Sequence, residues 1–302
     1  MSRIFVSGLV NTETTAKVRK FPIAYYPIDY PFFGVDTAVS GVAYNIACAL
    51  NTLGDCVELA SMTGSDFQSA YIRSELEKRN ISARGVREKL SQTPGSVVLY
   101  DDSGRRQIYC DLKDIQETGY GFSDDQLDNV DLVVACNINF NRELLSIAKS
   151  AGKIIATDVH VLGSVYDEYN REFMEAADIL FLSDEAAGED PHHFLWELEC
   201  RYNTPILVMG RGAKGALMYL RDEERFVELP AVTVGPVVNT VGAGDALFSA
   251  FLHYYAKGMD PVASLKRAQI FASAKIGTNG ASRGFVNEME IEDMYHRVYE
   301  GE

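Results

Sequence analysis

The chain has little of several features that would place it in a special class of protein. It contains five cysteines among 302 residues, and none of them forms a CxxC pair or a Cys/His cluster. An odd number of scattered cysteines favours free thiols in a reducing compartment over a disulfide framework. The sequence has no run of about 18 or more apolar residues, so no transmembrane helix is expected. Residues 1–10 lack the basic region, long apolar stretch and cleavage site of a signal peptide. We therefore expect a soluble, cytoplasmic protein.

An excess of positive charge is absent as well, because the formal net charge at pH 7 is −15. This argues against nucleic acid or an anionic membrane surface as the main partner. It does not exclude an anionic substrate, because a local loop can bind phosphate through its backbone amides. Hydrophobic residues make up 47% of the chain, which is enough for the core of one large α/β domain or two small ones.

Short apolar runs alternate with helical patterns along the chain. Residues 3–9 ("RIFVSGL") predict a first strand, and apolar residues of 41–54 recur at helical spacing with Gly54 at the end. A further helix is predicted to begin at Ser65 or Asp66 as N-cap. Other strands are predicted at "CVELASMTG" (56–64), "DLVVAC" (131–136), "KIIATDV" (153–159), "DILFL" (178–182) and "PILVMG" (205–210). This alternation predicts a mostly parallel sheet with helices on both faces.

Two segments break the alternation, at about residues 11–39 and 95–112. The first has Thr, Val and aromatic residues interrupted by prolines, and the second has the pattern of a hairpin turning at "DDSG" (101–104). Neither contains a helix that would complete a βαβ unit. We interpret them as a small β-sheet that projects from the main domain as a candidate lid. The alternative is that they add edge strands to the main sheet.

The stretch "VNTVGAGDALFSAFL" (238–252) places small residues directly before an apolar helix. The backbone amides of Gly242, Ala243 and Gly244 would be free at the positive end of the helix dipole, which suits an anion such as phosphate. The carboxylate of Asp245, next in sequence, could take a proton from a hydroxyl beside that anion. Phosphoryl transfer to an alcohol needs this combination of base and anion hole. The alternative is that Asp245 only caps the helix.

A second glycine-rich segment, "GRGAKG" (210–215), matches the pattern G-x-G-x-x-G after a predicted strand. It is not typical of a dinucleotide-binding fingerprint, because "ALMYLR" (216–221) predicts another strand where a helix should begin. Two interpretations remain open. The segment is a turn between two strands, or it is a loop that a nucleotide approaches, with Lys214 near the phosphates.

In this order the motifs resemble those of the ribokinase-like (PfkB) carbohydrate kinases, and the resemblance covers almost the whole chain. Residues 239–252 are similar to the C-terminal signature of that family and 40–54 to its N-terminal signature. Residues 210–215 and "GTNGA" (277–281) are similar to its nucleotide loop and to a later turn beside the adenine. The family phosphorylates sugars, nucleosides and related alcohols with ATP and Mg²⁺.

The resemblance implies a fold and an assembly. It implies one ribokinase-like kinase domain over residues 1–302, an α/β protein built as a three-layer α/β/α sandwich with a mostly parallel sheet. The two β segments, at about 11–39 and 95–112, would form the small β-sheet lid. In this family the lid often also forms a dimer interface, so a homodimer through the lid is an open possibility.

The resemblance also assigns roles to residues by position. Asp245 would be the general base, and Gly242, Ala243 and Gly244 would form the anion hole. The substrate would be held by Asn11, Glu13, Gly41 and Asn45. The nucleotide would be bound by Gly210, Gly212, Lys214 and Gly215, with Asn279 and Gly280 near the adenine.

Several positions depart from the family pattern on the substrate side. Glu13 stands where the family usually has Asp, and Ser40 replaces the first glycine of a pair. Tyr44 replaces a small residue and could stack on a ring of the substrate. His160, two residues after Asp158, is a further departure.

Two departures concern metal ions. Asn239 stands where an Asp often helps to form a monovalent-cation loop, which argues against potassium dependence. Residues 183–186 ("SDEA") stand where the family has an Asn-x-x-Glu that organises Mg²⁺. Asp184 or Glu185 could substitute, so the metal ligands stay unassigned.

The sequence therefore predicts an ATP-dependent kinase that phosphorylates a hydroxyl of a sugar. A nucleoside is the alternative acceptor. A catalytically weak sensor of sugars or nucleosides is the alternative from a different class, and the departures at residues 183–186 and Asn239 motivate it. Arg105 and Arg106, at the lid hairpin, could reach a substrate phosphate or simply be exposed surface arginines.

Overall fold

The computed structural model describes residues 1–301, and its strands fall into two sheets. The strands are β1 (Arg3–Ser7), β2 (Asn11–Lys17), β3 (Val35–Ser40), β4 (Cys56–Thr63), β5 (Val86–Glu88), β6 (Gly95–Tyr100), β7 (Arg106–Asp111), β8 (Leu132–Ala135), β9 (Ile154–Val161), β10 (Ile179–Ser183), β11 (Ile206–Gly210), β12 (Ala216–Leu220) and β13 (Arg225–Leu229). The α-helices are α1 (Val42–Thr52), α2 (Phe67–Lys78), α3 (Asn141–Ser150), α4 (Arg171–Ala176), α5 (Pro191–Tyr202), α6 (Ala243–Ala256), α7 (Pro261–Lys275) and α8 (Glu288–Tyr295).

The larger sheet has nine strands in the order β13-β12-β11-β10-β9-β8-β1-β4-β5. All neighbours from β11 to β5 pair in parallel, and β12 runs antiparallel to both of its neighbours. Consecutive residues of a strand face opposite surfaces of the sheet, and in the central strands both sets are buried under helices. In β1, Ile4 and Val6 pack with α1, α6 and α7, whereas Phe5 packs with α3, α4 and α5. The predicted three-layer sandwich is confirmed.

The smaller sheet has four strands in the order β3-β2-β6-β7. β2 pairs antiparallel with β3 and parallel with β6, and β6 pairs antiparallel with β7. The β6–β7 hairpin turns where predicted, and Asp101 accepts hydrogen bonds from the amides of Ser103 and Arg105. Because these strands form a sheet of their own, the alternative that they extend the main sheet is wrong.

Two residues of the sequence correctly predicted where α2 begins and where α1 ends. Asp66 is the N-cap of α2, since its side chain accepts a hydrogen bond from the Ser69 amide at 2.9 Å. Gly54, just after α1, has a φ of +93°, a left-handed conformation that glycine adopts without strain. Within residues 1–301, no helix is long and apolar enough to cross a membrane.

The parallel arrangement gathers the carboxyl ends of β1, β8, β9, β10 and β11 along one edge of the large sheet. The chain leaves β1 at this edge and enters β2 at Asn11, so the small sheet starts beside it. Open α/β sheets bind their ligands at this edge.

Candidate active site

The turn before α6 is held in one conformation by glycine and by backbone hydrogen bonds. Gly242 is the N-cap and has a φ of +77°, and an added Cβ would lie 2.7 Å from the Ala281 carbonyl oxygen. The amides of Val238 and Asn239 both donate to the Ile276 carbonyl. The side chain of Asn239 accepts a hydrogen bond from the Val241 amide at 2.9 Å. The turn is therefore fixed before any ligand binds.

The other glycine of the turn faces open space. Gly244 is exposed, and no heavy atom outside its own turn lies within 4 Å of the position that a Cβ would take. A ligand can therefore approach the backbone at this point, as an anion hole requires.

One of the three amides assigned to the anion hole is already engaged. The Ala243 amide donates to the Thr240 carbonyl at 3.1 Å, because the turn is tight enough to close an i to i+3 hydrogen bond. The prediction that Ala243 supplies a free amide is wrong in this respect. Within residues 1–301, the amides of Gly242, Gly244 and Asp245 have no hydrogen-bond acceptor. These three amides remain available to an anion.

Asp245 is held from a second helix N-terminus. The side-chain amide of Asn45, in the first turn of α1, donates to Asp245 Oδ2 at 2.8 Å. The Asn45 side chain is buried, and its Oδ1 has no hydrogen-bond partner within the described residues. A buried, unpaired acceptor is costly unless a ligand supplies the donor. Asn45 thus orients the carboxylate and leaves one acceptor for a hydroxyl.

Gly41 supports this arrangement mainly through packing. It is the N-cap of α1 with a φ of +103°, and an added Cβ would lie 2.5 Å from the Leu9 carbonyl oxygen. Its carbonyl accepts the Asn45 amide at 2.9 Å. Only its own amide is left for the substrate contact that the sequence predicted.

A histidine and a second aspartate lie beside Asp245. Asp158, on β9, is nearly buried and accepts a hydrogen bond from the His160 amide at 2.8 Å. His160 has a φ of +57°, and its Nδ1 lies 3.5 Å from Asp158 Oδ2. The charge of Asp158 raises the pKa of His160 to about 9, so this imidazole is a cation at neutral pH.

The pKa of Asp245 is raised, chiefly because burial disfavours its charged form. The positive charge of His160 and the hydrogen bond from Asn45 act in the opposite direction. A carboxylate with a raised pKa is a stronger base than an exposed aspartate. The charge of His160 therefore limits the upward shift of the Asp245 pKa.

The small sheet contributes Glu13 and Asn11 from neighbouring positions of β2. Asn11 is buried and donates to Ser96 Oγ at 3.3 Å, and its Oδ1 has no partner within the described residues. Glu13 accepts a hydrogen bond from Ser40 at 3.4 Å. Burial raises the pKa of Glu13, and the nearby charge of Asp245 adds to this, whereas Ser40, Ser96 and Arg106 lower it. Glu13 is therefore close enough to Asp245 for the two charges to interact.

The two departures from the family pattern on this side are in contact with each other. Ser40 replaces a glycine, Glu13 replaces an aspartate, and the serine hydroxyl holds the longer carboxylate. Arg106, one of the two hairpin arginines, is exposed, and its charge acts on Glu13.

The glycine-rich segment after β11 is a turn between antiparallel strands, as one of the two interpretations had it. Gly215 has a φ of +98°, and an added Cβ would lie 2.0 Å from the Leu229 carbonyl oxygen, so packing alone requires glycine there. Gly212 faces open space, and Gly210 makes only ordinary contacts. The Lys214 side chain is exposed, with Nζ 3.8 Å from Asp184 Oδ2.

The turn predicted to lie beside the adenine, residues 277–281, approaches the turn before α6. The side chain of Asn239 donates to Asn279 Oδ1 at 3.5 Å, and Gly280 has a φ of +92°. Residues 277–281 thus lie directly against the turn before α6.

No group of three or more His, Cys, Asp and Glu side chains in residues 1–301 could hold a metal ion by itself. Mg²⁺ in kinases needs only one or two carboxylates together with nucleotide phosphates. Asp184 is half-buried and faces Lys214 of the turn after β11, whereas Glu185 is exposed. Asp184 is therefore the residue of 183–186 whose position fits such an ion.

Tyr44 does not face the site. Its side chain is 1% exposed, and its hydroxyl accepts a hydrogen bond from Arg79 Nε at 3.1 Å. The expectation that Tyr44 stacks on a ring of the substrate is wrong, because the tyrosine lies in the interface between α1 and its neighbours. This removes the one residue that pointed to an aromatic ligand.

The sequence and the fold of the chain are both similar to those of known kinases. The family model described as "pfkB family carbohydrate kinase" matches residues 1–288. The chain is 24% identical over 275 residues to a nucleoside kinase of Methanocaldococcus jannaschii, which covers 86% of this chain and 85% of that protein. It is 26% identical over 289 residues to an ATP-dependent ribose-1-phosphate kinase of Halopiger xanaduensis, which covers 93% and 94%. A microbiome-derived acarbose kinase has the same fold, with a TM-score of 0.86, 23% identity and coverage of 98% and 99%.

Proposed function

The chain belongs to the pfkB family of carbohydrate kinases, and we propose that it transfers the γ-phosphoryl group of ATP to a hydroxyl of a sugar. The observation that carries this proposal is the meeting of Asp245, Asn45 and an open turn with three unengaged amides. A base and an anion site fixed on one turn suit phosphoryl transfer to an alcohol, and the family as a whole consists of phosphotransferases of this kind.

Asp245 is the proposed general base. Its Oδ2 is engaged by Asn45, and its Oδ1 has no partner within the described residues, so Oδ1 is free to accept the proton of the acceptor hydroxyl. The oxygen that loses this proton attacks the γ-phosphorus in line with the departing ADP oxygen.

The amides of Gly242, Gly244 and Asp245 are the proposed anion hole. They lie at the N-terminus of α6, where the helix dipole adds partial positive charge. Donors fixed before the reaction stabilise the charge on the transferring group without reorganisation, and this is the largest contribution we assign to the protein.

The acceptor would lie between the turn and the small sheet. Asn11 and Asn45 each offer a buried, unpaired Oδ1, and Glu13 offers a carboxylate, so three acceptors face the hydroxyls of a polyol. Movement of the small sheet toward the turn would exclude water and limit wasteful hydrolysis of ATP.

ATP would bind along Gly210–Gly215, with Lys214 near the phosphates and with Asn279 and Gly280 beside the adenine. Mg²⁺ would neutralise charge on the phosphates when bound, with Asp184 as its protein ligand. The Asn239 side chain is used within the turn, which supports activity without potassium.

A nucleoside is the second candidate acceptor, because a relative that covers most of the chain is a nucleoside kinase. The buried position of Tyr44 favours the sugar. The sensor alternative is weakened by Asp184, which supplies a carboxylate where the family motif is missing, and by the complete pair of Asp245 and Asn45.

We also propose that a second copy of the chain packs on the small sheet. All six residues of β7 are exposed, and apolar side chains lie on this sheet and on the loop before β3, among them Val97, Ile108, Tyr109, Phe32 and Phe33. Soluble monomers rarely expose such a patch. Light scattering should give twice the chain mass for the wild type and the monomer mass for Ile108→Lys.

The function is tested with a panel of sugars and nucleosides, each mixed with ATP and Mg²⁺. Mass spectrometry should find one phosphorylated sugar whose formation equals ADP release. A nucleoside product would replace the first candidate by the second. Acceptor binding without product at any Mg²⁺ concentration would refute the kinase proposal and support the sensor.

A further inference from the structure

Lys275, the last residue of α7, is a buried cation directly beneath the catalytic turn. Its side chain is 0% exposed, and Nζ donates to the carbonyl oxygen of Val241, the residue before Gly242. Val241 is its one hydrogen-bond partner within residues 1–301, and no carboxylate in that range lies within salt-bridge distance. Lys275 belongs to none of the sequence motifs described above.

Such a charge is costly to bury. An ammonium group has three donors, and here two of them lack a partner in the described chain. The negative end of the α7 dipole and the Val241 carbonyl offset part of the cost. Burial still lowers the pKa of Lys275 to about 8, and only the charge of Asp245 acts in the opposite direction. An apolar residue of similar size would pack here at lower cost, so packing does not explain the lysine.

The hydrogen bond also has a consequence for the anion hole. Val241 C=O and Gly242 N–H belong to one planar trans peptide unit, in which the two bonds point in opposite directions. By holding the Val241 carbonyl toward α7, Lys275 points the Gly242 amide away from α7 and into the turn. The same ammonium places a positive charge behind the amides that would receive a phosphate.

From this geometry we infer that Lys275 is a positioning residue for phosphoryl transfer. Its ammonium group orients the Gly242 amide. Because no carboxylate of the described chain forms a salt bridge with this group, its positive charge also draws the phosphate of ATP to the turn. The inference rests on the proposed function for its kinetic consequence. Because the protein carries this cation covalently, the turn needs no dissociable monovalent ion.

The first test removes the charge and keeps the volume with Lys275→Met. We expect kcat to fall about 100-fold, the loss typical of one oxyanion-hole donor, while KM for the acceptor changes less than about threefold. The melting temperature should stay equal or rise, because removing an unpaired buried charge is not destabilising. Lys266→Met on the same helix, where the lysine lies over the Tyr299 ring, is the matched control and should change neither value.

The second test restores the cation. Lys275→Ala should regain activity in ammonium or methylammonium salts but not in tetramethylammonium, which has no N–H donor. The wild type should be equally active in potassium and in tetramethylammonium buffers. A kcat of Lys275→Met within threefold of the wild type, or a fall in melting temperature that parallels the loss of activity, would overturn the inference.

A binding measurement separates this inference from the proposed function. ATP should raise the melting temperature of the wild type more than that of Lys275→Met. If the wild type phosphorylates none of the acceptors but this difference remains, the proposed function fails, and the part of the inference that stands is that Lys275 draws the phosphate of ATP to the turn. An equal shift in both proteins would refute the inference whatever the activity.

Discussion

The two sides of the site are built differently. The side formed by the turn before α6 is made of two helix N-termini. Charged groups surround it, of which Asp158 and Lys275 are buried and Asp245 is half-buried. The small sheet is open, with β7 exposed along its whole length, and the charge of its Glu13 interacts with that of Asp245. The side of the turn before α6, called the fixed side below, is held by packing in the core. The small sheet is packed against fewer side chains.

Two of the departures from the family pattern meet on the small sheet, whereas Asn239 and His160 depart from it on the other side. Asp245, Gly242 and Gly244 match the family signature, and they lie on the fixed side. Glu13 and Ser40 depart from it together, and they lie on the small sheet in mutual contact. We infer that the chemistry is set by the turn and that the choice of acceptor is set by the sheet. The predictions below test this division.

The largest effect should come from Asp245→Asn. Asparagine keeps the shape and can still accept the Asn45 hydrogen bond, but it cannot take a proton, so kcat should fall by about 10³-fold. ATP binding should persist, and the melting temperature should not fall, because the carboxylate is held in an environment that disfavours its charge. Steady-state kinetics, calorimetric titration with ATP and thermal melting measure the three quantities.

The exposed Asp222→Asn is the control for this variant and should behave as the wild type. A kcat of Asp245→Asn within about tenfold of the wild type would contradict the assignment of the base, and the turn would then be only a binding site.

Local sequence signals predicted much of the fixed side. Glycines at turns, N-cap residues and the alternation of strands and helices depend on neighbours in the chain, so α1, α6 and the sandwich followed from them. The β6–β7 hairpin followed in the same way from "DDSG". These features do not depend on which distant residues meet.

The contacts that complete the site could not be predicted in this way. Asn45 meets Asp245 across 200 positions, and Lys275 meets Val241 across 34. Tyr44 was misjudged because its partner Arg79 lies 35 positions away. The hydrogen bond of the Ala243 amide could not be predicted, because it depends on how tightly the turn before α6 closes. A lone lysine between "FASA" and Ile276 was the one available sign of Lys275.

The second prediction concerns the small sheet. Glu13→Gln replaces a charged acceptor with a neutral one, so KM for the acceptor should rise about tenfold while kcat stays within about threefold. The double variant Glu13→Asp with Ser40→Gly restores the family pattern and should change the preferred acceptor more than the two single effects combined. Kinetics on the best acceptor and on its epimers measure this coupling.

Additive single effects would show that Glu13 and Ser40 act independently. A fall in kcat as large as that of Asp245→Asn would place Glu13 in the chemical step, and the proposed division between the two sides would be wrong.

The smallest effect should come from His160→Asn and should depend on pH. The pKa of His160 is about 9, so the wild-type imidazole is a cation across the acidic limb of the rate profile. Its charge lowers the raised pKa of Asp245, and its removal should let that pKa rise further. The acidic limb of kcat/KM should therefore move to higher pH, and the loss of activity should shrink as the pH rises above that limb. His192→Asn, on α5, should leave the profile unchanged.

An acidic limb that stays in place in His160→Asn, or that moves to lower pH, would show that His160 does not control the pKa of the base. The electrostatics of the fixed side would then depend on Lys275 and Asn45 alone.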